Sequence, residues 1–275
     1  MFLLHSVICL HSGIFAILEN IFNVMYTRAI VRKPGKNFAA GISTAGLGKP
    51  DLRKALQQHA AYCETLNRCG LEVIVLEADE RYPDGCFVED TAVVTDETAI
   101  ITRPGAISRR GEEEEILRIL SVFRTIRRIE SPGTLDGGDV LRVNNHFYIG
   151  LSGRTNREGA GQLAAILSEH GYSTSEAEVK EGLHLKSGIA YLGHGKLIST
   201  PALSHIVKGE ANIITDEDES YSANCLRVND FLLIPEGFPK TKMKMAFSGF
   251  SIIGLGMSEF MKMDGGLTCL SLLLA

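Results

Sequence analysis

The chain has 275 residues, 45% hydrophobic and 22% charged, a composition that excludes disordered and collagen-like polypeptides and supplies enough apolar mass for a sizeable core. Its formal net charge of −5 argues against a broad phosphate-binding surface, so no nucleic-acid partner is expected and a small cationic ligand fits better. The six cysteines, Cys9, Cys63, Cys69, Cys86, Cys225 and Cys269, form neither a C-x-x-C pair nor a tight His/Cys cluster. That argues against a disulfide framework and a zinc site, and for a reducing, cytoplasmic compartment.

Residues 1–24 are apolar, with the run FLLHSVICLHSGIFAIL. The run lacks a positive n-region and a small-residue cleavage site, and Glu19 and Asn20 interrupt it. The expectation is an appended N-terminal extension, with no membrane anchor. The globular pattern begins at Met25 with YTRAIVRKPG and is expected to form one domain over residues 25–275. From Asp51, DLRKALQQHAAYCETLNRCG reads as a helix ending at a glycine cap before the strand LEVIVLE.

Four strand-turn-strand patterns follow: AVVTDETAIIT from Ala92, VLRVNNHFYIGLS from Val140, IAYLGHGKLIST from Ile189 and NCLRVNDFLLIPEG from Asn224. Each flanks turn residues of hairpin chemistry with two apolar runs. Helical periodicity succeeds the hairpins, clearest in GEEEEILRILSVF and NREGAGQLAAILSEHG, and then a short strand such as TIRRIES or NIITDE. The unit is ββαβ. The N-terminal helix and strand form an incomplete fifth copy, which LTCLSLLLA at the C-terminus completes. Units of roughly 35 to 50 residues suit radial blades that protect sheet edges. The predicted fold is therefore a five-bladed α/β propeller, with an α/β sandwich containing chance hairpins as the alternative.

Unusual residues gather in the links entering the hairpins: PDGCFVED, SPGTLDGGD, KEGLHLKSG and, before the closing strand, KMDGGLTC. Pseudo-symmetry brings these links to the axis, where one Cys, one His and several carboxylates meet. A guanidinium is planar and cationic, so it needs carboxylates for its nitrogens and a strong nucleophile for its carbon. A thiolate is such a nucleophile, and a His can protonate a departing amine and then activate water. Taken singly, each residue also has a plain reading: Cys269 as a packing thiol, His184 as a core histidine, Asp139 as a turn acceptor, Glu89 and Asp90 as a solvated pair. The run Glu112 to Glu115 reads as the acidic first turn of a helix.

Taken in order, FVEDTAV, the ITRPGA and SRRGE segments, SPGTLDGGDVL, FYIGLSGRTN, LHLKSG, SYSANC and DGGLTCLS resemble the dimethylarginine dimethylaminohydrolases of the amidinotransferase, or pentein, superfamily. The match runs from about Met25 to the C-terminus, and that family's fold is the five-repeat α/β propeller. The resemblance implies hydrolysis of dimethylarginine or monomethylarginine to citrulline and the methylamine, with neither metal nor organic cofactor. It implies Cys269 as nucleophile through a covalent thiouronium, His184 as general acid and then base, and Asp136 as the carboxylate orienting His184. Asp84, Glu89 and Asp90 would hold the guanidinium and amino ends, Arg109 and Arg154 the α-carboxylate, and Ile42 and Met263 would make main-chain or lid contacts. Asp136 is Glu in many relatives, and Ile42 is often Leu, so the shorter Asp136 arm puts its reach to His184 in question. An arginine deiminase, an amidinotransferase and a non-catalytic binding protein of the same fold are the alternatives. A homodimer is compatible with this reading, and a membrane partner is not expected.

Overall fold

The structure, a computed structural model, describes residues 24–208, 211–246 and 249–275. The expected N-terminal extension, apart from Val24, lies outside the described residues. Runs of three to six residues between turns and helices, apolar in most blades and polar in outer strands such as STSEAE, form fifteen short strands among the described residues. They are β1 (Arg28–Arg32), β2 (Glu72–Leu76), β3 (Ala92–Val94), β4 (Thr98–Ile101), β5 (Thr125–Arg128), β6 (Val140–Val143), β7 (His146–Leu151) and β8 (Ser173–Glu178), followed by β9 (Ile189–Gly193), β10 (Lys196–Ser199), β11 (Ala211–Ile214), β12 (Leu226–Val228), β13 (Phe231–Pro235), β14 (Ser251–Leu255) and β15 (Leu272–Leu274).

These strands form five three-stranded sheets: β15-β1-β2, β3-β4-β5, β6-β7-β8, β9-β10-β11 and β12-β13-β14. In every sheet the first strand runs antiparallel to the middle one, and the third runs parallel to it. A tight turn suffices for the first pairing in four of the sheets, while β15 and β1 come together from opposite ends of the chain. The parallel return needs a crossover, supplied by α1 (Leu52–Arg68), α2 (Glu113–Leu120), α3 (Arg157–Glu169) and α4 (Pro239–Met245). In the β9-β10-β11 sheet a 3-10 turn, Pro201–Leu203, stands where the others carry a helix. A short α5 (Ser258–Met261) precedes the closing segment.

The turn chemistry matches the sequence. Asn144, His194 and Asn229 take positive φ of 55, 51 and 53°, which lets three of the hairpins close with the twist of their strands. At Asp96–Glu97 the turn is held differently: Thr98 N donates to the Thr95 hydroxyl at 3.1 Å. Helix α1 starts where Asp51 accepts from Lys54 N at 2.9 Å and stops at Gly70, φ +94°, as a left-handed residue after a helix requires. Its partner α3 is capped by Asn156, which accepts from Gly159 N.

Side chains alternate across each strand, and this alternation seals the ring. Ala92 packs with Ile30 and Leu272 of the preceding sheet, whereas its neighbour Val93 packs with Val140 and Ile149 of the next. Leu141 turns onward to Ile189 and Leu197, and Ala190 to Cys225 and Leu232. Val228 and Leu233 then meet Ala29 and Val31. Five apolar cores thus alternate with five sheets around an axis, and β15 closes the circle by pairing Ile30 with Leu272. The fold is the five-bladed α/β propeller. One element departs from expectation: Glu112 precedes α2, buried against Arg109 at 2.8 Å, while only Glu113, Glu114 and Glu115 form the acidic first turn.

Candidate active site

Each blade is entered through a 3-10 turn: Val88–Thr91, Gly137–Asp139, Leu185–Ser187, Glu217–Ala223 and Thr268–Leu270. Because these turns occupy equivalent positions, their side chains converge on the axis. Asp90, Asp136, His184 and Cys269 come from four of them. Ile42, Asp84, Asp90, Arg109, Arg154, His184, Met263 and Cys269 line one small pocket, together with Phe87, Leu183, Asp264 and Gly265.

His184 is buried, and its Nε2 lies 3.0 Å from Asp136 Oδ2. The short Asp136 arm therefore reaches the imidazole. It does so because its other oxygen is fixed by Gly105 N at 2.9 Å and its own amide contacts the Thr155 hydroxyl at 3.1 Å. The second imidazole nitrogen, Nδ1, stands 3.9 Å from Asp90 Oδ1, beyond hydrogen-bond range. Gly138 sits between them, and a β-carbon there would press on both the His184 ring and the Asp90 carboxylate. Burial alone pushes the imidazole pKa down, but the Asp90 charge, the Asp136 bond and the Asp139 charge outweigh it and raise it to about 9. His184 is consequently an imidazolium at neutral pH.

Cys269 is half-buried and free, and its Sγ accepts from Gly266 N at 3.3 Å. The Tyr62 hydroxyl donates to Leu267 O at 3.0 Å and that of Tyr221 to Gly265 O at 2.8 Å, which pins the turn on both sides. Burial raises the thiol pKa far above its ordinary range, and the Glu89 and Asp90 charges add to that. The resting sulfur is neutral until a cation arrives.

Arg109 spends its donors on the protein: Nη1 on Asp90 Oδ2 at 2.5 Å, Nε and Nη2 on Glu112, and Nη2 also on Phe87 O. Facing its charge and that of His184, Asp90 titrates at about 2 despite burial. Asp84 accepts from Ile42 N at 3.1 Å, and burial raises its pKa even though Arg109 opposes this. Arg154 differs, since its buried Nη1 has no hydrogen-bond partner and its nearest carboxylate, Asp136, is 4.0 Å away. That unspent donor suits a ligand anion. Glu89 is the one expected site residue that faces elsewhere: its oxygens meet Lys186 Nζ at 2.7 Å and the Thr268 hydroxyl at 2.8 Å. It lines a larger cavity of about 230 Å³, which shares no residue with the pocket of Cys269.

A family model described as "N,N dimethylarginine dimethylhydrolase, eukaryotic" matches residues 48–193. The chain is 46% identical over 254 residues to N(G),N(G)-dimethylarginine dimethylaminohydrolase of Pseudomonas aeruginosa, covering 90% of this chain and 99% of that one. This chain belongs to the dimethylarginine dimethylaminohydrolase family. A further member, from Streptomyces coelicolor, is 36% identical over 249 residues, 89% of this chain and 95% of that one. A solved structure described as DDAH from Pseudomonas aeruginosa, a cysteine-to-serine variant complexed with citrulline, matches with a TM-score of 0.88 at 43% identity, over 91% of this chain and all of that one. The N-terminal domain of ArgZ, an arginine dihydrolase from cyanobacteria, matches at a TM-score of 0.81 but only 20% identity, which shows a shared fold.

In this dimethylarginine dimethylaminohydrolase-family site, the residue patterns assign no role to Leu183 and Asp264, which line the pocket, or to Lys186, Thr268 and Asn224, which lie behind the cysteine turn. The blade repeat was the available signal. Asn224 follows the fourth entry turn as its C-cap, whereas Asp136 and His184 precede theirs as N-caps.

Proposed function

We propose that the protein hydrolyses N-omega,N-omega-dimethyl-L-arginine and monomethylarginine to L-citrulline and dimethylamine or methylamine, with Cys269 as nucleophile. The observation carrying this reading is one pocket that joins a free thiol, an imidazolium and two carboxylates, Asp84 and Asp90, in a chain of this family.

The guanidinium binds against Asp90 and Asp84, and its positive charge favours the Cys269 thiolate that burial had suppressed, the thiol proton passing to solvent because His184 is already protonated. Sγ attacks the guanidinium carbon. The carbon–nitrogen bond to the methylated nitrogen breaks, and the amine leaves with a proton from His184. Since Asp136 occupies Nε2, Nδ1 is the nitrogen left for this transfer. The resulting thiouronium is then attacked by water, which gives its proton to His184; the carbon–sulfur bond breaks and citrulline departs. Asp136 keeps the ring in place and supports its charge.

Arg154 receives the substrate α-carboxylate on its unpaired Nη1, and the Arg109 charge behind Asp90 adds attraction without a new bond. Removing one charge-assisted hydrogen bond costs about 1.5 to 3 kcal/mol. Arg154→Ala is expected to raise KM for dimethylarginine by about 10- to 100-fold and to leave kcat within about fivefold. Steady-state kinetics on the variant tests this, and an unchanged KM removes Arg154 from the site.

The pocket holds only about 20 Å³, so substrate enters when the loop from Ile42 lifts. Its closing bonds are exposed: Ser43 to Lys262 O at 2.7 Å and Thr44 to Asp264 Oδ2 at 3.0 Å. The catalytic unit is residues 25–275. All five described cysteines are free, which supports a cytoplasmic setting, and no helix among the described residues is long and apolar enough to cross a membrane. A citrulline-release assay offering dimethylarginine, monomethylarginine and arginine side by side tests the whole reading. Citrulline from the methylated substrates alone is expected. Release from arginine alone makes the protein a deiminase, and release from none makes it a transferase or a binding protein.

A further inference from the structure

The turn carrying Cys269 is held from behind by a closed polar ring outside the substrate pocket. Lys186 Nζ lies 2.7 Å from Glu89 Oε1, and Glu89 Oε2 accepts the Thr268 hydroxyl at 2.8 Å. Thr268 N donates to Asn224 Oδ1 at 3.1 Å. The Asn224 amide completes the circuit by donating to Lys186 O at 2.9 Å and to Thr268 Oγ1 at 3.1 Å. A side chain at Gly266 would overlap Asn224, so the ring and the cysteine turn fit together only with glycine there. The four members come from four different blade-entry turns, and none lines the pocket of Cys269.

We propose that Lys186 is a positioning residue for the hydrolysis: by pairing with Glu89 and closing this ring, it keeps Cys269 ionisable without touching substrate. Thr268 is covalently adjacent to Cys269, so the ring fixes the backbone of the nucleophile turn. It also neutralises a buried carboxylate. Left unpaired, Glu89 would oppose any negative charge on the neighbouring sulfur. A cation inside the pocket would do the same service but would compete with the cationic substrate, whereas one behind the turn does not.

Other groups face the sulfur as well. Burial, Glu89 and Asp90 disfavour the thiolate, while Gly266 N and Lys186 favour it. Tyr62 and Tyr221 are raised by burial and stay uncharged. Across the pocket stand His184, Asp84, Arg109 and Arg154. Among these cations, Lys186 alone is bonded to Glu89.

The inference rests on Cys269 being the nucleophile, so its test reads the thiol directly. Full-length protein without substrate is alkylated with iodoacetamide between about pH 7 and 9.5, and the Cys269 peptide is quantified by mass spectrometry. Lys186→Met is expected to displace the rise of rate with pH upward by about one unit, making alkylation about tenfold slower at any fixed pH. Glu89→Gln, nearly isosteric and still able to meet Thr268, is expected to displace it downward. Combining the two changes removes both charges and returns the rate to within about threefold of wild type, and Lys186→Arg stays near wild type. Profiles of Glu89→Gln and wild type that coincide overturn the proposal, as does a double variant as slow as Lys186→Met. Shifted profiles in a protein that releases no citrulline would leave the coupling of Lys186 and Glu89 to Cys269 standing and remove the hydrolase reading that gives it its purpose.

Discussion

Protein carrying Cys269→Ser is expected to bind dimethylarginine but to release citrulline at least about 10³-fold more slowly than wild type. The argument is one of ionisation. Even the thiol is held neutral by burial and by the Glu89 and Asp90 charges, and a hydroxyl in the same place is far harder to deprotonate. The substrate cation can stabilise a thiolate, whose proton passes to solvent, but it leaves the far less acidic serine hydroxyl protonated. Binding survives because it depends on Asp84, Asp90 and Arg154, which the substitution leaves in place. Calorimetry should therefore give a dissociation constant within about tenfold of the wild-type KM, and mass spectrometry should find no covalent adduct. Turnover within tenfold of wild type would exclude Cys269 as nucleophile, whatever the binding result.

The ring was legible in the sequence because its information is local. Asn-Asn, Gly-His-Gly and Asn-Asp between apolar runs specify hairpins through positive φ at Asn144, His194 and Asn229, and four hairpin-bearing units with an incomplete fifth leave few ways to cover sheet edges. The convergence of the entry links was legible for the same reason. What the sequence did not carry is the direction in which adjacent carboxylates point. Glu89 and Asp90 are neighbours on one 3-10 turn, yet Asp90 enters the pocket with Cys269 while Glu89 turns to Lys186 on the other side. No residue pattern distinguishes the two. Arg109 is a similar case. Its place beside the pocket follows from the motif, but the commitment of its donors to Asp90 and Glu112 depends on the packing of α2 against the first blade. Glu112 looked like one more acid in a helical first turn and is instead a buried partner of that arginine.

The electrostatic balance of the empty pocket disfavours the Cys269 thiolate. Asp84, Asp90 and Asp136 face Arg109, Arg154 and an imidazolium within a few ångströms, so the resting site is close to neutral and the sulfur has no reason to ionise. A cationic guanidinium breaks this balance at the point where the thiolate is needed. Under the proposed hydrolysis, ionisation of Cys269 is therefore expected to follow substrate binding, and the free thiol to react slowly with other electrophiles.

His184→Ala is expected to lower kcat by about 10² to 10⁴-fold with the fold retained by circular dichroism. In the proposed hydrolysis the imidazole gives the departing amine its proton and then takes one from water. Burial works against its charge, but Asp90, Asp136 and Asp139 prevail and hold the pKa at about 9, above the ordinary value of about 6.5. The sign follows directly: the charged ring contributes stability that is complete below about pH 6.5 and is lost as pH rises through about 9. Activity that depends on the protonated ring should fall as that proton is lost from the substrate complex, where the substrate charge favours the Cys269 thiolate, giving kcat a descending limb at alkaline pH. Asp136→Asn tests the assignment without removing the ring. It deletes the charge and weakens the bond at Nε2, so the descending limb is expected to move to lower pH while the ascending limb, set by Cys269, stays in place. A limb unmoved by Asp136→Asn, or a His184→Ala protein that keeps its rate, would assign the proton transfers to another group.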